Sequence, residues 1–532
     1  MPDGRPSKIE FPLGGVFRGG TYAQKTSPYT SPRGINVRSY GPFERRGRGG
    51  SRPGLAKVVA TDFGSDIVGV SSVTYLDGDG ERQTDLAVIC GGVLNIVRGE
   101  TVTQTTAFLV DDDDKYVTDE AGNFIIFNST VSATNPVGDA TAFSMAEKGG
   151  KLLIADSTLL KYDPVTGEVA TVENAPTGQP LVCVYQERVV LAGANHLFYM
   201  SAQADDTNWD FGAEMGNVAL AVAGYVGDGG KIGETILAML PHHDRALIFG
   251  TAESLWAVYG NPAAEGRKVC VSPFVGILAP QGIVITPDGL VLFLARDGLY
   301  SWQVGSEAHP APFSGKRIPD ELLDVDPETT DILMVYDHKE GGIHLFLTPA
   351  DDELGAVAGT HWWIDLEHKG LWQVSLPAMK QPLAVGVLSA AGGSNVILGC
   401  KDGYLRRFLD TATDDDGTDL QSDILIGPFH VPRTEGIDGM VTEIVGALAD
   451  GSGDVSWALV VGASAEEAVD AGEAAIAGDD SGAAASGTWG EGQNAVDYPR
   501  ARGPWAVLWL SSAEPWAFES VGLRSKALGR LR

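Results

Sequence analysis

The sequence predicts an all-β protein: a β-propeller of about seven blades (range six to eight), with an extended N-terminal arm and a small C-terminal β-sandwich. Three observations predict it. Helix-period patterns are scarce, whereas β-branched and aromatic runs bounded by Gly, Asp, Asn and Pro recur along most of the 532 residues. One strand–turn–strand pattern repeats at intervals suited to propeller blades. The two ends differ from the middle in charge and composition.

The chain is 44% hydrophobic and holds 68 glycines, which suits strands and tight turns better than a helical bundle. No run approaches the roughly 18 apolar residues of a membrane span. The opening MPDGRPSKIEFPLGG lacks the apolar core of a secretory signal, so synthesis in the cytoplasm is expected. Cys90, Cys183, Cys270 and Cys400 are far apart in strand-like runs and form no C-x-x-C pair, so they read as small buried hydrophobes.

Residues 1–58 form the expected arm. They are rich in Gly, Pro, Ser and Arg, with single aromatics such as Phe17, Tyr22, Tyr29, Tyr40 and Phe43, and cannot fold alone. Eleven Lys/Arg stand there against Asp3, Glu10 and Glu44, although the whole chain carries −32. The closing residues GLRSKALGRLR turn basic again. An acidic body with basic ends points to ends that bind acidic surfaces, either nucleic acid or other copies of the chain.

Residues 59–410 form the expected propeller. The repeated hairpin centres on Ile89, Leu153, Leu191, Ile248, Leu292, Leu345 and Ile397, at intervals of 64, 38, 57, 44, 53 and 52 residues. Each hairpin reads as the middle of a four-stranded blade, with ring closure protecting the edges. The long first interval contains GNFIIFNSTV, a further strand candidate. Residues 411–425 read as an acidic linker. Residues 426–532 read as a β domain interrupted by an Ala/Gly/acidic excursion over 464–488, either a short helix or a surface loop.

Patterns that carry chemistry are few. The sequence has no P-loop, H-E-x-x-H or G-x-S-x-G. His242 and His243 are adjacent and would point to opposite sides of a strand. The acidic turns at Asp77–Asp79–Glu81, Asp111–Asp114 and Asp414–Asp416 do not complete a calcium loop and read as solvated turns. No catalytic residue, cofactor or metal is assigned.

The order SPYTSPRGINVRSYGPFERRGRGGSRPGL resembles the opening of tailed-phage tail proteins of the nozzle and packaged-DNA-stabilising type, at Asn36, Arg38, Arg45, Arg46, Arg48, Gly50, Arg52, Pro53 and Gly54. LFYMSAQADDTNWDFG and the closing RARGPWAVLWLSSAEPWAFESVGLRS are similar to later elements of that group. The resemblance implies a non-enzymatic virion tail protein, made in the host cytoplasm. It implies a ring, a hexamer in that group, contacting tail or portal and adaptor proteins and passing genomic DNA. Arg38, Arg45, Arg46, Arg48 and Arg52 are then the expected contacts, with neighbouring subunits or with DNA. The rival readings are a propeller recognising a host-surface glycan or protein, with Trp209, Trp362 and Trp363 as contact candidates if they are exposed rather than part of the blade core, and a glycan hydrolase using paired carboxylates.

Overall fold

The computed structural model describes residues 7–17, 29–43, 48–98, 101–103, 143–212, 219–229, 231–315, 317–350, 357–390, 393–431, 437–478 and 482–530. Among them, seven four-stranded antiparallel blades form a closed ring. Blades 1 to 6 span 67–103, 144–171, 181–225, 238–272, 283–312 and 330–374. Blade 7 takes three strands from 382–409 and its outermost strand, Gly54–Lys57, from near the start of the chain. The first strand of each blade lies innermost and touches that of the next. Pro382–Ala390 of blade 7 meets Ile67–Leu76 of blade 1, which closes the circuit. All seven hairpin centres fall on the second strands of the seven blades.

Burial on both faces explains the near-continuous apolar runs of those second strands. In blade 2, Leu152 and Ile154 pack towards blade 1 with Val73 and Ile89, whereas Leu153 and Ala155 pack towards blade 3 with Val189 and Leu191. Alternate side chains therefore serve different interfaces. The same division recurs around the ring, so each interblade interface has its own apolar core.

The N-terminal segment is threaded through its own chain. Ser7–Ile9 pairs with the last strand of the C-terminal domain, Phe518–Arg530. The amide of Val16 donates to the carbonyl of Leu371 in the outermost strand of blade 6. Gly34–Ile35 lies between Gly370–Val374 of blade 6 and Ser422–His430 of the C-terminal domain, parallel to the first and antiparallel to the second. This two-residue strand joins blade 6 and a C-terminal sheet into one nine-stranded sheet. Val37–Arg38 then pairs with Gly50–Ser51. Only a glycine fits at Gly54, where a Cβ would strike the carbonyl of Asp414. The N-terminal segment is an extended arm laid over its own chain, one of the two courses open to it. Its described residues fill seams of that chain, and the boundary expected at 58/59 falls after the propeller has already begun. Arg45 and Arg46 lie outside the described residues, as do Asp111–Asp114 and the GNFIIFNSTV segment.

The C-terminal domain is a β-sandwich. One sheet contains Ser422–His430, Trp505–Ser512, Val455–Gly462 and Ala483–Trp489, and the other contains Ile437–Leu448 and Phe518–Arg530. Ile424, Ile426, Leu508 and Leu510 face the sandwich core, whereas Leu425 and Val507 face helix α1 (Ala465–Ile476) on the outer side. The excursion thus begins as a helix. Ser464 caps it by accepting from the Glu467 amide, and small Ala468, Gly472 and Ala475 let it sit close to the sheet. The stretch 411–425 is not a loose linker, since its end already forms a strand and Asp415 is buried.

Removing residues 1–57 is expected to unfold much more than an arm. Ile9, Phe11, Val37 and Leu55 are buried in the core. Their burial alone is worth roughly 6–12 kcal/mol at about 1.5–3 kcal/mol each, comparable with a whole domain's stability of about 5–15 kcal/mol. Thermal unfolding and near-ultraviolet circular dichroism of the truncated chain should show loss of fixed tertiary packing; a native-like spectrum would contradict this.

Candidate functional site

The densest polar constellation lies at the seam where blades 6 and 7, the sandwich and the N-terminal segment meet. Asn36 adopts the left-handed backbone conformation (φ 57°), which Asn tolerates better than most residues. There its Oδ1 accepts from Arg52 Nε (2.8 Å) and the Ser375 amide (2.9 Å), and its Nδ2 donates to the Gln421 carbonyl (2.7 Å). Arg52 is fully buried. It also donates to both carboxylate oxygens of Asp415 (2.9 and 2.5 Å) and to the carbonyls of Pro53 and Ser375 (2.9 Å each). All five guanidinium N–H groups are thereby used. Beside it, Arg406 bridges Asp402 and Asp416, while Lys380 donates to the carbonyls of Asp415 and Asp416.

Arg38 is equally buried but is held differently. Its guanidinium lies 4.4 Å from the Trp363 ring and 5.4 Å from the Phe408 ring, with no hydrogen-bond partner for its three nitrogens among the described residues. Burial lowers its pKa, and Glu340 and Asp337 oppose the shift. The aromatic faces supply the favourable electrostatics that hydrogen bonds would otherwise give. Nearby, the His344 ring stacks on Phe408 and Phe346, with Nε2 3.4 Å from Asp337. Burial pushes the Asp337 carboxyl up, but His344, the Glu340 amide and Arg38 outweigh it and hold it at about 2. Full burial lowers His344, against the pull of Asp337, and lowers His361 to about 3, helped by Arg52.

The structure reassigns the other residues singled out in the sequence. Arg48 forms an ion pair with Glu519 of the same chain. Trp362 and Trp363 are adjacent on strand His361–Asp365 and point to opposite faces, Trp362 into the blade 5–6 core and Trp363 into the blade 6–7 core. Trp209 is buried between blades 2 and 3, its Nε1 donating to the Asp206 carbonyl. These three tryptophans are therefore core residues and present no ring for surface recognition. Arg38 and Arg52 are likewise shut off from DNA and from neighbours. The carboxylate of Asp77 is engaged by its own turn, through the amides of Asp79 and Glu81 and the side chain of Gln83. Among the described residues, no group of three or more His, Cys, Asp or Glu side chains could hold a metal.

A cleft of about 820 Å³ opens between the linker and the sandwich turns. It is lined by Asp410, Asp414, Asp419 and Glu514, together with Phe43 and Pro515. Neither the cleft nor the Asn36–Arg52–Asp415 lock was legible in advance. DDDGTD reads as a solvated turn, and only the fold shows that its middle aspartate points inward.

No family model matches the chain, and no curated protein matches it. Solved structures similar to it are propellers of low identity. The extracellular domain of BT4673 from B. thetaiotaomicron is 11% identical with a TM-score of 0.40. That match covers 67% of this chain, which spans two fifths (40%) of the other's length. A streptogramin B lyase is 11% identical (TM-score 0.39), covering 66% of this chain and 96% of the lyase. The WD40 propeller domain of Doa1 is 10% identical (TM-score 0.36), covering 67% and 97%. Among the described residues, no helix is long and apolar enough to cross a membrane.

Two measurements test the seam. Asp415→Ala leaves Arg52 buried without its counter-ion, so denaturant unfolding should show a loss of about 3–5 kcal/mol; a change within about 0.5 kcal/mol, the usual scale of a surface substitution, would contradict the lock. His361 stays neutral when folded but binds a proton when unfolded below about pH 6.5. Its contribution to stability is therefore present above that pH and lost at about 1.4 kcal/mol per pH unit as pH falls towards 3. Unfolding free energies at pH 7, 6 and 5 should show this decline, and His361→Gln should make it shallower.

Proposed function

We propose that the chain is a structural subunit of a phage-like tail, one copy of a ring that conducts DNA and joins other tail or portal and adaptor proteins, with no catalytic step of its own. One observation carries the reading. Asn36, Arg52, Pro53 and Gly54, which bear the sequence resemblance, are the residues that lock the propeller to the sandwich. At these four positions the residues are framework rather than surface, and a framework motif is what related structural subunits would share. The acidic body fits a conduit, because it offers phosphates few of the Lys/Arg contacts that would retain them.

A second reading, recognition of a host surface by the propeller, is favoured by Phe274 and Ile232, exposed at 88% and 89%. They occupy the loops that leave the outermost strands of blades 4 and 3, which topology places on one side of the disc. Immunogold electron microscopy of particles from the source culture separates the two readings. Gold at the tail or head–tail junction is expected. Intact and disrupted particles that both stay unlabelled, with saturable attachment of the purified protein to host cells, would favour recognition.

A further inference from the structure

The long antiparallel strands Ile437–Leu448 and Phe518–Arg530 carry opposite charge at their two ends. They pair from Leu448 with Phe518 at one end to Ile437 with Arg530 at the other. At the first end, the turns at 449–454 and 513–517 help to line the acidic cleft, whose lining among the described residues includes four carboxylates and no basic residue. At the second end, the outer edge of the pair is left open. Ser7–Ile9 covers the outer edge only as far as Leu523. Beyond Leu523 no described strand lies across that edge, and Lys526, Ala527 and Leu528 are exposed. This end of the pair, taken as residues 437–443, 500–502 and 524–530, holds five basic residues against two acidic ones. Arg524 and Arg502 are spent on Glu443 and Asp438, but Lys526 has no ion-pair partner among the described residues.

We propose that the basic ribbon of one copy docks in the acidic cleft of a second copy, with Lys526 facing Asp419 and the exposed Leu528 covering Phe43 and Pro515. The inference rests on the ring reading above and supplies its contact. The two surfaces stand roughly 35 Å apart on the same strands, at about 3.3 Å per residue. Tip and cleft are different patches, so the contact is head-to-tail, the kind that closes into a ring when its rotation permits. A two-stranded ribbon is marginal alone in water, and an apolar, charge-matched seat would stabilise it. Lysine and the strand irregularities at Asp438/Gly439 and Val441/Glu443 disfavour simple edge-to-edge strand addition, so side-chain complementarity sets the docking.

Sedimentation velocity of the full chain, from about 50 mM to about 500 mM salt, tests it. Self-association should weaken as salt rises. Lys526→Glu and Asp419→Lys should each weaken it about three- to tenfold at low salt. The double variant should recover most of the loss, with the thermal midpoint unchanged in all three. Association that ignores both substitutions overturns the docking while leaving the ring reading intact. A wild-type chain that stays monomeric overturns the docking, and if it is also absent from particles the ring reading fails with it. Loss of duplex-DNA binding in Lys526→Glu, with self-association unchanged, would assign the ribbon to nucleic acid instead.

Discussion

The architecture depends on one buried ion pair, Arg52 with Asp415. Bringing a guanidinium and a carboxylate out of water costs several kcal/mol per ion, and mutual attraction offsets this only when the remaining donors and acceptors are also satisfied. Arg52 meets that condition through Asn36, Pro53 and Ser375. The pair fixes the linker against the segment just before blade 7 receives its outermost strand. Asn36 fixes the exit of blade 6 to the same point. Three chain regions far apart in sequence thereby share one set of hydrogen bonds, and the sandwich inherits its placement from them.

The neighbouring Arg38 shows a different solution to the same problem. Its charge is buried between aromatic faces rather than consumed by hydrogen bonds. Two arginines in one short basic stretch are thus both internal. Arg38 and Arg52 thus serve acidic and aromatic seams of the chain itself rather than a surface meant for phosphate. The nine-stranded sheet has the same logic. Two residues, Gly34 and Ile35, suffice to join blade and sandwich because each side already offers an open ladder edge.

Much of the fold was legible in the sequence because two-faced burial leaves a strong mark. Strands such as KLLIA and RVVLA are apolar without alternation, and their recurrence gave the blade count. The sandwich was legible in the same way. The lock was not, since Asn36 and Asp415 are short polar residues in Gly- and Asp-rich surroundings, and the bonds of Asn36 with Ser375 and of Asp415 with Arg52 each span more than 300 residues of sequence. The tryptophan pair, readable from the sequence either as surface contacts or as blade core, is core for a related reason. Adjacent bulky residues on a strand point to opposite sides, and both are buried only when both faces of that strand are packed. Trp362 and Trp363 therefore report the enclosure of blade 6.

Because the outermost strand of blade 7 comes from Gly54–Lys57 and its partner is Leu405–Leu409, the ring cannot close until about 350 residues separating them have been synthesised. At the usual pace of translation, about 5–20 residues per second, that delay is roughly 20–70 s. The early segment Gly54–Lys57 must wait, unpaired, for one of the last parts of the propeller. A nascent chain interrupted anywhere before residue 405 has neither a closed ring nor a seated sandwich. Chains cut short of that strand are thereby excluded from the closed fold by the topology itself.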